Sequence, residues 1–275
     1  MPGESSAAAL SAARQLQEHG IRAALTYLGE NVTDASEAAR ATDQYIELLD
    51  KIRADSLDTE LSVKLTQLGL DLSSAQCYGR LRRIIENTKG QGTLWIDMES
   101  SPYVDITLEL YRRARSVYPN VGVCLQAYLH RTERDIAALK PLGPAIRLVK
   151  GAYREPANIA FSRKQEISRN FLALSRILLS EPSRRAGVQT AVATHDPELI
   201  RSVEQIAASQ SADKGEFEFQ MLYGIQRSEL VMLARCGHRT RVLIAYGAHW
   251  FPWFMRRMAE RPANIWLVAR NLFRA

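Results

Sequence analysis

Residues 189–208, QTAVATHDPELIRSVEQIAA, contain one complete strand–helix unit. The run 189–194 is short, apolar and contains several β-branched residues, which is typical of a buried strand. Asp196 followed by Pro197 is a favoured helix start, and apolar residues then recur three or four positions apart up to residue 208. This stretch therefore predicts a strand that leads directly into an amphipathic helix.

The same alternation extends along the whole chain. The predicted strands occupy residues 22–28, 61–66, 93–98, 121–127, 146–150, 189–194, 216–220 and 240–244. The predicted helices occupy residues 36–53, 74–87, 106–117, 133–139, 162–179, 197–208 and 228–235, with caps expected at Asp34 or Ser36, Thr132 and Asp196. About eight such units favour an α/β protein whose parallel sheet closes into a distorted (β/α)8 TIM-type barrel. A doubly wound open sheet is the main alternative, but no Gly-x-Gly-x-x-Gly follows the first strand.

Length and composition agree with one barrel domain. The chain has 275 residues, 46% of them hydrophobic and 24% charged, and an α/β barrel uses about 250 residues. We therefore predict a single domain over residues 1–275, in which 1–20 form a short N-terminal helical extension. Three widely spaced cysteines, no secretory signal and no long apolar segment predict a cytoplasmic protein, with peripheral binding to the inner face of the membrane as an option.

The net charge of +6 has three explanations at this point. Nucleic acid, an anionic membrane surface or an anionic ligand held inside the protein would each suit it. Basic residues alternate with acidic ones along the chain, so we do not expect a nucleic-acid partner.

Polar side chains gather where the predicted strands end, which is the catalytic face of such barrels. Lys64 could bind an anion or pair with Asp97, and Asp97 with Glu99 could provide a general acid or base. Equally, each carboxylate could do no more than neutralise a nearby cation.

Further along, Arg147, Lys150 and Gly151 would suit a phosphate or an electron-rich ring, because the glycine lets the backbone approach a ligand closely. Near the C-terminus, Arg256 and Arg257 could bracket a small carboxylate with their guanidinium groups. No spacing in the sequence suits a metal site, and Cys236-Gly-His238 is too sparse for zinc.

Taken together, these segments resemble the proline dehydrogenase family. The motifs that carry the resemblance are LSVKLTQLG (61–69), WIDME (95–99), LQAY (125–128), RLVKGAYRE (147–155), ATHD (193–196), FEFQMLYG (217–224) and RRMAER (256–261). The resemblance implies an FAD-dependent barrel enzyme that oxidises L-proline to 1-pyrroline-5-carboxylate by hydride transfer to flavin N5. It also implies an external electron acceptor, by analogy a membrane quinone.

The resemblance also implies roles for individual residues. Asp97 and Arg147 match catalytic positions. Substrate-binding positions are matched by Lys64, Tyr153, Leu222, Leu243, Trp253, Arg256 and Arg257. Cofactor-binding positions are matched by Met98, Gln126, Arg147, Val149, Lys150, Gly151, Ala152, Thr194 and His195.

Three residues of the substrate pocket depart from the family pattern. Leu243 and Ala245 stand where the family usually has tyrosine and proline, and Trp253 replaces a second tyrosine. We therefore expect an intact redox centre with altered substrate selection, so a substituted or larger-ring cyclic amino acid is an alternative to proline. Two further hypotheses stay open, namely a barrel hydrolase that uses Asp97 and Glu99 and a flavin-binding protein that has lost catalysis.

Overall fold

The computed structural model describes residues 1–251 and residue 255. Eight parallel strands follow one another around a closed barrel, and the last strand pairs with the first. The strands are β1 (Arg22–Tyr27), β2 (Thr59–Val63), β3 (Leu94–Ile96), β4 (Val121–Gln126), β5 (Ala145–Val149), β6 (Gln189–Ala193), β7 (Phe217–Leu222) and β8 (Arg239–Tyr246). The predicted TIM-type barrel is confirmed, and the open-sheet alternative is wrong.

Helices surround this barrel and join successive strands. They are α1 (Ser6–Gln17), α2 (Ala35–Ala54), α3 (Ser74–Thr88), α4 (Val104–Arg115), α5 (Thr132–Leu139), α6 (Lys164–Leu179), α7 (Glu181–Arg185), α8 (Pro197–Ser209) and α9 (Arg227–Arg235), with short 3-10 turns at Ser101–Tyr103 and Lys140–Leu142. Within residues 1–251, none of these helices has the length of apolar sequence needed to cross a bilayer. The single-domain prediction extends beyond the described residues and stays a prediction.

Two predicted caps are confirmed and one is wrong. The Asp34 carboxylate accepts from the backbone N–H of Ser36, and the Asp196 carboxylate accepts from that of Glu198. Thr132 does not cap α5 but is its first residue, and its hydroxyl donates to a main-chain carbonyl at the end of β4.

The second strand is the clearest difference from the predicted boundaries. β2 ends at Val63, so Lys64 lies just after the strand instead of inside it. A tight turn starts there, because the Leu65 carbonyl accepts from the N–H groups of Leu68 and Leu70. This early end places Lys64 at the rim of the barrel, where strand termini carry chemistry in this fold.

The interior of the barrel holds polar side chains, whereas the apolar core lies between the strands and the helices. Tyr45, Tyr111 and Phe171 are among the largest fully buried side chains, and all three belong to helices. Arg147 of β5 contacts Ser62 of β2, and these strands are not neighbours in the sheet. Such a contact is formed only through the barrel interior, so the inside of the barrel positions the site.

Candidate active site at the carboxyl ends of the strands

Asp97 is the centre of a buried polar cluster. Its Oδ1 accepts from Oγ of Ser62 at 2.7 Å and from Nη1 of Arg147 at 3.2 Å. Its Oδ2 accepts from Nζ of Lys64 at 3.1 Å, which is the contact that the sequence led us to expect. One carboxylate therefore holds two cations at the carboxyl ends of β2, β3 and β5.

Electrostatics keep this cluster ionised. Burial alone disfavours the charged carboxylate, but Lys64 and Arg147 outweigh it and hold the pKa of Asp97 below its ordinary value. Burial likewise disfavours the ammonium of Lys64, but Asp97, Tyr153 and Glu99 together outweigh it and keep the pKa of Lys64 above its ordinary value. At neutral pH the cluster has two positive charges and one negative charge, so it is suited to an anionic ligand.

Arg147 has hydrogen-bonding capacity left over. Its side chain is 3% exposed, and its Nε and Nη2 have no hydrogen-bond partner among the described residues. Unpaired buried donors are costly, so this guanidinium is arranged for a group that the protein itself does not supply within those residues.

Gln126, at the end of β4, has a buried hydrogen-bond acceptor without a partner among the described residues. Its Nε2 donates to the main-chain carbonyl of Glu99 at 3.2 Å and lies 3.4 Å from that of Met98. These bonds fix the orientation of the amide, and Oε1 then has no partner among the described residues. A buried acceptor and the buried donors of Arg147 therefore come from neighbouring strands of the barrel.

Glu99 is bonded to the turn that follows β2. Its carboxylate accepts from the backbone N–H of Thr66 at 3.1 Å and from the Thr66 hydroxyl at 2.6 Å. Burial raises the pKa of Glu99, although Lys64 and the bonds from Thr66 oppose that rise. The Asp97 and Glu99 carboxylates therefore have different hydrogen-bond partners, although both interact electrostatically with Lys64.

Gly151 lies two residues after the end of β5 and has a backbone conformation that only glycine adopts readily, with φ of +118°. A Cβ at this position would lie 2.2 Å from Cδ1 of Tyr128. Position 151 therefore requires glycine because the Tyr128 ring occupies the space that a Cβ would fill. A close approach of this backbone to a ligand stays a prediction.

The loops after β5 and β6 are tied together by an ion pair. Nζ of Lys150 lies 3.0 Å from Oδ2 of Asp196, which also caps α8. The Thr194 hydroxyl accepts from the backbone N–H of Asp196 at 3.2 Å. Lys150 and two residues of the 193–196 motif thus form one rim of the site.

His195 connects a predicted cofactor position to a predicted substrate position. Its Nε2 accepts from the backbone N–H of Leu222 at 2.7 Å, so this nitrogen carries no proton in that arrangement. Leu222 in turn lies directly beside Leu243 in the register of β7 and β8, and both side chains are half-buried. The two leucines therefore occupy adjacent apolar positions of β7 and β8.

The remaining predicted residues fall into two groups. Val149, Ala152 and Tyr153 lie half-buried at the end of β5 and in the loop that follows, whereas Met98 is buried after β3. Trp253, Arg256 and Arg257 lie outside the described residues, so their roles stay predictions.

Sequence reasoning missed two members of the cluster. Cys124 lies on β4, with Sγ 3.5 Å from Oδ1 of Asp97, and burial raises the pKa of its thiol to about 12. Ser62 bonds to both Asp97 and Arg147. Strand alternation from Lys64 identifies the face of Ser62, whereas nothing in the sequence marks Cys124 as part of the site.

Among the described residues, no three histidine, cysteine, aspartate or glutamate side chains come together as they would to hold a metal ion.

Comparison with known proteins gives a consistent picture. The family profile described as proline dehydrogenase matches residues 9–269. The chain is 38% identical over 273 residues to proline dehydrogenase 1 of Bacillus subtilis subsp. natto, a match that covers 99% of this chain and 89% of that protein. It is 36% identical to the proline dehydrogenase of Deinococcus radiodurans, with 99% and 88% covered.

Solved structures agree on the fold. Proline utilization A (PutA) from Bdellovibrio bacteriovorus, inactivated by N-propargylglycine, superposes with a TM-score of 0.86 at 23% identity over 94% of this chain. PutA from Corynebacterium freiburgense gives a TM-score of 0.80 at 21% identity. This chain corresponds to only 32% and 30% of those longer proteins.

Proposed function

The chain belongs to the proline dehydrogenase family, and on that premise we propose that it oxidises L-proline to 1-pyrroline-5-carboxylate with FAD as its cofactor. The observation that carries the proposal is the Asp97 cluster. Lys64 and Arg147, two buried cations with one carboxylate between them, lie at the catalytic end of a barrel of this family.

The donors and acceptors of the site suit a flavin ring. An isoalloxazine has an imide N–H together with carbonyl and ring-nitrogen acceptors. Gln126 offers a buried acceptor without a partner among the described residues, and Arg147 offers two such donors. When bound, FAD supplies at N5 the acceptor for the hydride that leaves the proline ring carbon next to the amine.

The protein's own contribution is to bind, orient and stabilise charge. Lys64 would hold the carboxylate of the amino acid together with Arg256 and Arg257. Asp97 would keep the ammonium group of Lys64 charged and oriented toward that carboxylate. Arg147 would face the flavin, where a fixed guanidinium favours the extra negative charge of the reduced ring. Neither cation needs to reorganise, because Asp97 holds both and Ser62 also bonds to the guanidinium.

The remaining cofactor contacts would come from the rim of the barrel. We propose that Met98, Gln126, Val149, Lys150, Gly151, Ala152, Thr194 and His195 line the flavin site. The ion pair between Lys150 and Asp196 supports this arrangement, because it holds two of the contributing loops at a fixed separation.

Substrate selection would depend on the wall opposite the cations. Leu222 and Leu243 are adjacent and apolar, and Tyr153 and Trp253 would complete the pocket. A leucine in place of the usual tyrosine removes a hydroxyl and changes the volume of the pocket. This change is the reason to compare proline with substituted and larger-ring cyclic amino acids.

The electron acceptor lies outside this chain in our proposal. A quinone or another external acceptor would take up the electrons that leave the substrate. We propose a cytoplasmic location, with peripheral contact with the inner face of the membrane if the acceptor is a membrane quinone.

Turnover with an artificial acceptor tests the proposal. The purified full chain should reduce a redox dye in the presence of L-proline, and the product should be a cyclic imine that o-aminobenzaldehyde traps. Dye reduction with another cyclic amino acid but not with proline would show that proline is not the substrate and that the other amino acid is. Bound FAD without turnover on any member of the panel would favour a silent flavin-binding protein.

A further inference from the structure

A second buried charged cluster lies inside the barrel, on the amino-terminal side of the Asp97 cluster. Arg241 of β8 has Nε 2.8 Å from Oε1 of Glu218 and 3.2 Å from Oε2 of Glu60. Its Nη1 donates to the carbonyl of Ala23 at 2.9 Å. All three charged side chains are at least nine-tenths buried.

Buried charged side chains are not the most stabilising way to fill the interior of a barrel. A buried charged triad is often no more stabilising than apolar side chains of similar volume, because desolvation cancels much of the attraction. The interior of a TIM barrel is usually filled by branched aliphatic residues. Two glutamates and an arginine at this level therefore suggest a role besides packing.

Trp95 connects the two clusters. Its indole Nε1 donates to Oε2 of Glu60 at 2.6 Å. The face of the same ring lies under the guanidinium of Arg147, with 4.5 Å between Cζ and the ring centroid. The indole is thus held by a carboxylate at its edge and contacts the catalytic-site arginine through its face.

Neighbouring strands leave room for this ring. Gly122 is the register partner of Trp95, and a Cβ on Gly122 would lie 2.7 Å from Cε3 and Cζ3 of the indole. Ala145 and Ala191 pack against Trp95 from β5 and β6. Small residues on three strands therefore fix the ring where it meets Arg147.

We propose that Trp95 is a positioning residue for the reaction: anchored by Glu60, it fixes the guanidinium of Arg147 toward the cofactor side of the barrel. This inference rests on the proposed function, because it gives Arg147 its flavin-facing role. The negative face of an indole attracts a cation, and the bond from Nε1 to a carboxylate polarises the ring in the favourable direction. Nη1 of Arg147 is occupied by Ser62 and Asp97, which leaves Nε and Nη2 for the cofactor.

Flavin reduction potentials test the proposal without using the substrate. In the FAD-loaded full chain, Trp95→Leu removes the aromatic face, whereas Trp95→Phe retains it without the indole N–H. We expect Trp95→Leu to lower the potential and to slow flavin reduction at saturating L-proline about tenfold, with the Kd for proline within about twofold of wild type. Trp95→Phe should recover most of the rate.

Phe219→Leu is the matched control. Phe219 is a fully buried aromatic residue of β7 that contacts Phe217 and His238 instead of the interior clusters. It should lower the melting temperature by a similar amount and leave the potential and the rate unchanged. Equal potentials in Trp95→Leu, Phe219→Leu and wild type would overturn the positioning role.

Glu60→Gln is the alternative variant for this test. If Trp95→Leu does not fold, Glu60→Gln replaces it, and this variant should shift the potential in the same direction with about threefold slower reduction. An unchanged potential in Glu60→Gln would then overturn the inference.

Wild-type flavin that L-proline does not reduce would defeat the proposed function, whereas the potentials would still report on Trp95. A chain that binds no FAD would defeat both.

Discussion

Nζ of Lys64 lies 3.1 Å from Oδ2 of Asp97, and only 14% and 13% of their side chains are exposed. The same carboxylate bonds to Arg147 through its other oxygen. A substrate carboxylate that binds Lys64 and a flavin that faces Arg147 would therefore be coupled through one residue. In that arrangement Asp97 would act on both ligands without being required to contact either of them.

Asp97→Asn should reduce kcat/KM for L-proline about 100-fold, because Lys64 loses the charge that holds it in place. The free energy of unfolding should fall by ~3 kcal/mol, since two buried cations lose their counter-charge. Steady-state kinetics and urea unfolding measure the two effects.

Asp135→Asn is the control for that substitution. Asp135 is a buried carboxylate on α5 that pairs with Arg131, away from the barrel interior. It should also destabilise the protein but leave kcat/KM within about twofold of wild type. If both variants lose activity equally, the loss at Asp97 reflects folding and not a role in the site.

The stability contributed by Asp97 should depend on pH in one direction. The pKa of Asp97 is lower in the folded protein than in the unfolded chain, where an aspartate has a pKa of about 3.9. Its contribution to stability is therefore complete above about pH 3.9 and is lost as the pH falls through the folded-state pKa. The difference in unfolding free energy between wild type and Asp97→Asn should therefore be constant from about pH 5 to pH 8 and shrink below about pH 4. A difference that grows with acidification would contradict the direction of the shift.

Gly151→Ala should destabilise the protein by more than ~3 kcal/mol and weaken FAD retention. The new Cβ would overlap the Tyr128 ring, and the backbone conformation is strained for alanine. Gly20→Ala is the control, because Gly20 also has positive φ but no atoms within 4 Å of the added Cβ. It should cost about 1 kcal/mol. Thermal unfolding that gives equal losses for both would show that the Tyr128 contact adds nothing.

Leu243→Tyr should shift substrate selection toward L-proline. The larger side chain fills space beside Leu222 and restores the hydroxyl that the family usually has at this position. We expect the ratio of kcat/KM for L-proline to that for a six-membered-ring analogue to rise about tenfold. An unchanged ratio across the panel would show that Leu243 does not line the substrate pocket.

The fold was predictable because its signal is periodic. The stretch 189–208 shows how a strand, an aspartate cap and an amphipathic helix follow in order, and the structure reproduces it as β6 and α8. Boundaries were less predictable, because they depend on contacts distant in sequence. The turn at Leu65 that follows β2 is local, but the Thr66 N–H in that turn bonds to Glu99, which is 33 residues away in sequence.

The site was predictable where a residue's chemistry is unusual for its position. A lysine inside an otherwise apolar predicted strand drew attention to Lys64, and an aspartate near the end of the predicted strand 93–98 was named as a possible partner. The interior contacts were not predictable, because the meeting of Trp95, Glu60 and Arg147 depends on the size of the barrel and its register. Alternation alone says which side chains point inward but not which of them touch.

Anaerobic addition of L-proline to the purified full chain is the decisive measurement for the proposed reaction. The protein should carry bound flavin with the visible absorption of the oxidised ring, and L-proline should bleach that absorption, whereas D-proline should not. Trapped 1-pyrroline-5-carboxylate should equal the flavin reduced. Purified protein without flavin, or bound flavin that stays oxidised with excess L-proline, would contradict proline oxidation by this chain.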